Sequence, residues 1–190
     1  MSTSTALRLS LDDFNRMVEE DAFRPLGRRR IELIYGELRE VTPPGPTHAQ
    51  AVASLIRWTT DNTTRREVML RVQDPIEIPA LDSAPQPDLV WAKPKNYSKR
   101  HPQARDIILL IEVADSSLAD DVGEMAVLYA QAGIKDYWVV NIPDLCIEVF
   151  RRPRAGRYLD HETILAGQEI SPLAFPRIAL SNGGLFSGTL

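Results

Sequence analysis

The chain has 190 residues, of which 44% are hydrophobic, and carries a formal net charge of -4 with a sequence pI of about 5.4. This length supports one full hydrophobic core, and the acidic balance excludes nucleic-acid binding that relies on overall charge instead of a local basic patch. The single cysteine, Cys146, excludes an internal disulfide. Because no apolar run approaches the roughly 18 residues of a membrane span and the N-terminal segment lacks the pattern of a signal peptide, we expect a cytoplasmic protein without membrane association.

The first third of the chain predicts a short helix, a β-hairpin and a long helix. Ser10 is a suitable N-cap for the first helix. Residues 30–41 alternate apolar and polar side chains about Gly36, which is typical of a hairpin or a kinked strand. A proline-rich break then precedes a long helix over residues 48–66. The helical spacing predicts that the long helix buries Ala49, Val52, Ala53, Ile56 and Thr60.

The remainder of the chain predicts a β-sheet that is interrupted by one helix. Residues 106–113 form an apolar run without alternation, which indicates a central strand covered on both faces. Residues 122–133 predict a helix that ends at Gly133. Strands are predicted before and after these segments, at residues 67–79, 87–91, 136–141 and 145–151, with further hairpins in the tail. The predicted buried face of the helix consists of Val122, Met125, Ala126, Tyr129 and Ala130. This order favours a mixed α/β fold with a sheet between helices.

Two carboxylates lie at the polar edges of apolar runs, Asp88 in QPDLVW and Glu112 in DIILLIEVADSS. A carboxylate in a buried strand is costly unless a charged group meets it. If the two strands are antiparallel neighbours, both acids reach one edge of the sheet, where their oxygens suit Mg²⁺ and a metal-acidified water could attack a phosphodiester. The spacing alone leaves open the alternative that both acids face solvent or pair with Arg or Lys.

A series of segments adds a family resemblance. In chain order these are IELIYGEL, a proline pair before a helix that begins near a histidine, PDLVW, IEVADSSLADD and LYAQAGIKDYWVVN. Over roughly residues 10–150 the chain resembles the Uma family of "putative restriction endonucleases", within the PD-(D/E)XK nuclease superfamily. The resemblance implies one restriction-endonuclease-like α/β domain over residues 1–190, with a mixed β-sheet flanked by helices. It also implies hydrolysis of DNA phosphodiester bonds with Mg²⁺ or Mn²⁺, and a homodimer.

The resemblance further implies roles for individual residues. Asp88 and Glu112 match the metal-binding acids, and the backbone carbonyl of Val113 is the implied third ligand. Glu37, and less securely Glu32, match the place of an extra acid near the first strand; Glu37 is otherwise a solvated hairpin residue.

Met125 is the main departure from the family pattern. The family resembles a variant of the superfamily motif in which the catalytic lysine has moved to the helix that follows the second acid, in a GEKLxLYA-like segment. The matching segment here is GEMAVLYA, so Met125 occupies the lysine position. A lysine would steady the attacking hydroxide or the phosphate charge, which methionine cannot do. Three alternatives follow: the chain binds without cutting, another cation such as Lys93, Lys95 or Lys135 reaches the site, or the metal and water sustain a slower reaction. A domain that binds nucleic acid or protein without catalysis is therefore the alternative function.

Several other residues have both a structural and a functional interpretation. His48 either opens the long helix or contacts phosphate. The cationic loop over residues 93–105 and the arginines at positions 28–30 are either solvated or bind phosphate. Asp120 and Asp121 are most simply explained by a helix start, where the helix dipole favours negative charge. The tyrosines and tryptophans of the predicted strands and helix are expected in the core.

Overall fold

The first elements of the chain are two helices separated by a β-hairpin. The computed structural model describes residues 7–27 and 29–187. The helices are α1 (Leu11–Glu19) and α2 (Pro46–Asn62), the hairpin strands are β1 (Arg30–Ile34) and β2 (Glu37–Val41), and a 3₁₀ turn covers Arg24–Leu26. The predicted cap is confirmed, because the Ser10 hydroxyl accepts a hydrogen bond from the backbone N–H of Asp13. The hairpin closes over Tyr35 and Gly36, both at positive φ, as a two-residue type I′ turn requires.

A six-stranded mixed sheet forms the centre of the fold. Its strands are β3 (Met69–Val72), β4 (Leu89–Ala92), β5 (Ile107–Ala114), β6 (Asp136–Asn141), β7 (Cys146–Arg154) and β8 (Arg157–Ile164), in the spatial order β3-β4-β5-β6-β7-β8. Only β5 and β6 are parallel to each other. The predicted central position of β5 is confirmed, and six of its eight residues are buried.

The helix between β5 and β6 contains an irregular turn. It begins as α3 (Leu118–Asp120), continues as a π-helical turn over Asp121–Met125 and ends as α4 (Ala126–Ala132). Gly133 has a φ of 83° and caps its C-terminus, as predicted. The predicted buried face is right for Met125, Ala126, Tyr129 and Ala130 but wrong for Val122, which is 36% exposed; Leu128 is buried instead.

Helices cover both faces of the sheet. On one face, α2 packs over a cluster that includes Trp91 and Trp138; on the other, Tyr129 of α4 packs against Tyr137 of β6. The aromatic residues are therefore core residues, as predicted. The predicted face of α2 is right for Val52 but wrong for Ala49, Ala53 and Thr60, which are exposed, while Ile56 is half-buried. The buried residues of the helix are Ala51, Val52, Ser54, Leu55, Trp58 and Thr59. The reason is tertiary: the Trp58 ring stacks on Trp91, with centroids 5.0 Å apart.

The tail closes the α2 side of the sheet. It contains β9 (Glu169–Ile170), β10 (Leu180–Ser181) and α5 (Asn182–Ser187). Asp136 is fully buried and joins this segment to the sheet, because it accepts hydrogen bonds from the Arg151 side chain and the Leu173 backbone. Within residues 7–27 and 29–187, no helix is long and apolar enough to cross a membrane.

Candidate active site

A cavity of about 450 Å³ opens at the sheet edge where β4 begins and β5 ends. The hairpin strands β1 and β2, the N-terminus of α2 and the α3 segment complete its wall. Seven acidic side chains line it: Glu32, Glu40, Asp88, Glu112, Asp115, Asp120 and Asp121. The cavity is therefore strongly negative and suits cations better than a bare phosphate.

Asp88 and Glu112 lie side by side in this cavity. Because β4 and β5 are antiparallel with Leu89 opposite Ile111, the two acids occupy the next pair of positions along the ladder. The Asp88 backbone N–H donates to Glu112 Oε2 over 3.0 Å, and the Val113 backbone N–H donates to Asp88 Oδ2 over 2.9 Å. The backbone of each strand thus orients the carboxylate of the other, which realises the juxtaposition expected from the sequence.

Three further side chains hold these carboxylates. His48 Nε2 lies 2.9 Å from Asp88 Oδ2, and Gln73 Nε2 donates to Asp88 Oδ1 over 3.1 Å. The Tyr129 hydroxyl donates to Glu112 Oε1 over 2.7 Å. Each carboxylate therefore has both oxygens fixed by the protein, so neither acid needs to reorganise when a ligand binds.

Burial and like charge govern the ionisation of these acids. Burial, together with the negative charges of Asp88 and Asp121, holds the pKa of Glu112 well above its ordinary value. Burial also raises the pKa of Asp121 to about 6, although a hydrogen bond from Ser117 opposes the shift. The hydrogen bond to Asp88 raises the pKa of His48. A nearby cation would relieve the repulsion among the acids.

The donor set fits a hard divalent cation. Asp88 and Glu112 offer carboxylate oxygens, Val113 also lines the cavity, and such ions prefer oxygen ligands and keep several waters. Within the described ranges, no group of three or more His, Cys, Asp or Glu side chains is arranged to hold a metal on its own. A metal here would therefore rely on the two carboxylates, backbone oxygen and water.

Of the two hairpin acids that the sequence singled out, Glu32 lines the cavity and Glu37 does not. Glu37 is exposed and pairs with Arg8 over 2.9 Å and with Arg39 over 3.6 Å. Glu32 lies on the same face of the hairpin but opposite Arg39, two residue pairs further from the turn than Glu37. It accepts a hydrogen bond from the Gln86 backbone, lines the cavity and has a pKa raised by burial. The structure thus does not bring Glu37 to Asp88 and Glu112.

Met125 lines the cavity, and none of the lysines proposed as substitutes does. Lys93 donates to the carbonyl of Arg105, Lys95 pairs with the buried Asp106, and Lys135 is exposed. The first two lie in the loop between β4 and β5, at the opposite end of these strands from Asp88 and Glu112. At about 3.3 Å per residue, Ile107 and Glu112 are roughly 17 Å apart along β5, too far for this loop to contact the acids.

The comparisons with known proteins agree with this geometry. A family model described as "Uma2: Putative restriction endonuclease" matches residues 12–182. The chain belongs to the Uma2 family. Among solved structures, the Uma2-family chain is similar to the crystal structure of "a putative nuclease belonging to DUF820 from Anabaena variabilis ATCC 29413", with a TM-score of 0.76 and 15% identity over 96% of this chain and 99% of that one. This likeness shows the fold alone, and no curated protein matches the chain closely.

Three residues of the cavity in this Uma2-family chain have contacts that their local sequence does not indicate. His48 suits a helix start or a phosphate contact by sequence, but it contacts Asp88. Asp121 suits a helix start, but its side chain is buried beside Asp88 and Glu112. Gln73 lies in no recognisable motif and donates to Asp88. No local pattern marks these residues, because their proximity to Asp88 depends on how α2, β3 and the π-helical turn pack together.

Proposed function

We propose that this Uma2-family chain is a nuclease that hydrolyses phosphodiester bonds of DNA with Mg²⁺ or Mn²⁺. The observation that carries the proposal is the reciprocal hydrogen bonding of Asp88 and Glu112 in an acidic cavity at one sheet edge. A bound divalent ion would supply an acidified water and neutralise phosphate charge. Asp88, Glu112 and Val113 would hold that ion. DNA as the substrate is supported by the family's description as restriction endonucleases.

The protein's own residues prepare this site. His48 and Gln73 fix Asp88, while Tyr129 fixes Glu112, so both carboxylates keep one orientation. Because Glu112 is buried beside other acids, a bound cation would stabilise its ionised form. Both features favour a pre-organised cation site. The single domain over residues 1–190 and the homodimer stay predictions.

Met125 favours a second candidate function, a nuclease-fold domain that binds nucleic acid or protein without cutting. The residue is 9% exposed and lines the cavity. The resemblance to the family assigns the catalytic lysine to this position. Methionine supplies no charge to a reacting phosphate. The two functions differ in whether the carboxylate site turns over substrate.

A cleavage assay on supercoiled plasmid and single-stranded DNA with Mg²⁺ or Mn²⁺ separates the two functions. It compares the given chain with Asp88→Asn, Met125→Lys and Val127→Lys. Val127 is 39% exposed on the same helix and does not line the cavity, so its substitution controls for an added charge. If the proposed function is right, the given chain cuts and Asp88→Asn lowers the rate at least about 100-fold.

Other outcomes have distinct meanings. If Met125→Lys alone gains cleavage, the given chain is a disabled nuclease and the second function holds. If no variant cuts either substrate, nuclease activity is dropped for this chain.

A further inference from the structure

Two arginines and a histidine line the acidic cavity: Arg30, Arg39 and His48. Two of them are already bound to acids. Arg39 makes two contacts to Glu124, of 2.5 and 3.0 Å, and His48 binds Asp88. Their positive charges are therefore neutralised within the protein.

Arg30 differs from both because its hydrogen-bond partners are neutral. Its Nε donates to Gln86 Oε1 over 3.0 Å, and its Nη2 contacts the Gln73 carbonyl over 3.4 Å. Among the described residues, Arg30 forms no ion pair, and its Nη1 makes no hydrogen bond. A guanidinium has five N–H donors, so several remain available to a ligand.

The same contacts place Arg30 close to the metal-binding acids. The Gln73 side chain donates to Asp88 Oδ1, and the Gln86 backbone N–H donates to Glu32. Each glutamine therefore contacts both Arg30 and an acid of the cavity. The side chain is half-buried, and its partners restrict its rotation. A guanidinium held in this way is suited to two parallel hydrogen bonds with a phosphate.

We propose that Arg30 contacts a phosphate of the bound nucleic acid and supplies the positive charge that Met125 does not. This proposal rests on the proposed function, since it requires a phosphodiester at the carboxylate site. In this proposal the positive charge near the phosphate comes from Arg30 on β1. It does not come from the helix between β5 and β6, which carries Met125, or from the loop between β4 and β5.

The test compares Arg30→Gln with Arg157→Gln, an exposed arginine on β8 outside the cavity. The measurement is fluorescence anisotropy of a short labelled DNA duplex, with Ca²⁺ in place of Mg²⁺ to suppress turnover, over a series of salt concentrations. We expect Arg30→Gln to raise Kd about 5- to 30-fold. It should also reduce the slope of log K against log salt by about 0.9, the value for one lost phosphate contact. Arg157→Gln should change neither quantity.

Two further measurements locate the effect. Mg²⁺ should raise the melting temperature of Arg30→Gln as much as that of the given chain, because Arg30 contacts phosphate and not the metal. Arg30→Lys should regain the salt slope but only part of the affinity, because an ammonium group cannot form the two-donor fork. This variant also keeps the test valid if Arg30→Gln does not fold.

The proposal is overturned if Arg30→Gln binds DNA with unchanged affinity and salt slope, or if its response to Mg²⁺ is lost. In either case the proposed nuclease function stands if the given chain still cuts. If the given chain neither binds nor cuts DNA, the proposed function itself fails and Arg30 has no phosphate to contact.

Discussion

Glu112 shows how one side chain can be unfavourable for the fold and useful for the site. It is 9% exposed on the central strand and lies beside Asp88 and near Asp121. Burial and like charge both oppose its ionisation, and two hydrogen bonds only partly offset them. The ionised carboxylate of Glu112 therefore lowers the stability of the metal-free protein, whereas the proposed cation site requires that charge.

We expect Glu112→Gln to stabilise the metal-free protein by about 1–2 kcal/mol at pH 8, because it removes a desolvated charge. The same substitution should abolish the rise in melting temperature caused by Mg²⁺, since binding to the folded state stabilises it by RT ln(1 + [L]/Kd). Thermal unfolding in EDTA and in Mg²⁺ measures both effects. Glu162→Gln, an exposed change on β8, is the matched control. A full response to Mg²⁺ in Glu112→Gln would contradict the assignment of this acid as a ligand.

Asp121 gives the metal-free protein a pH dependence. Its pKa rises from 3.8 to about 6 on folding, so the folded state binds the proton more tightly than the unfolded state. The free energy of unfolding should therefore decrease as pH increases from about 4 to about 6, and the loss persists above that range. Asp121→Asn should reduce this slope and raise stability at pH 7 by about 1–3 kcal/mol. Urea unfolding in EDTA at a series of pH values measures this dependence, and Asp120→Asn, a change at an exposed neighbour, is the control. Equal slopes in both variants would contradict Asp121 as the source of the pH dependence.

At the scale of elements, the local signals predicted where helices and strands lie but not which helix face is buried. Ser10, Gly36 and Gly133 mark a cap, a turn and a helix end, and all three act within a few residues of themselves. In α2, by contrast, small residues and a tryptophan give two possible apolar faces. The aromatic surface of Trp91 selects the face that carries Trp58. Long-range packing thus selects the buried face of α2, which the helical period alone does not determine.

Gly36 connects the hairpin to the N-terminal segment and so supports the strand that carries Arg30 and Glu32. Its φ is 79°, and an added Cβ would lie 2.9 Å from both the Leu9 carbonyl oxygen and the Arg8 Cβ. We expect Gly36→Ala to destabilise the protein by about 1–3 kcal/mol, because strain and a backbone clash add together. Gly167→Ala is the control, since its φ is 84° but no atom lies within 4 Å of the added Cβ. Equal losses in urea unfolding would show that the contact with residues 8 and 9 is unimportant.

At the scale of the whole molecule, charge distribution sets the conditions for substrate binding. The chain carries a net charge of -4, and the cavity that holds Asp88 and Glu112 is lined by seven acids. Two cationic residues of the loop between β4 and β5, Lys95 and Arg100, pair with Asp106 at the other end of the strands. A polyanion therefore meets repulsion at the cavity unless cations bind there first.

We expect the affinity for a short DNA duplex to rise at least about 10-fold when Ca²⁺ is added, because the ion neutralises the acids that face the phosphates. EDTA should reverse the gain, and Asp88→Asn should lose most of it. Fluorescence anisotropy at constant ionic strength measures the effect, with Glu162→Gln again as control. Equal affinity with and without Ca²⁺ would contradict a substrate site in this cavity.

The sequence by itself determined the family resemblance, the mixed α/β class, the order of the main elements and the pair Asp88 and Glu112. These follow from signals that are local: apolar runs, caps, turns and short motifs. Only the tertiary structure decided that Glu32 and not Glu37 faces the cavity, that His48 and Gln73 hold Asp88, and that Arg30 lines the cavity without an ion pair among the described residues. Such contacts join residues 15 to 56 positions apart, and the strand register and helix packing that create them depend on the whole core.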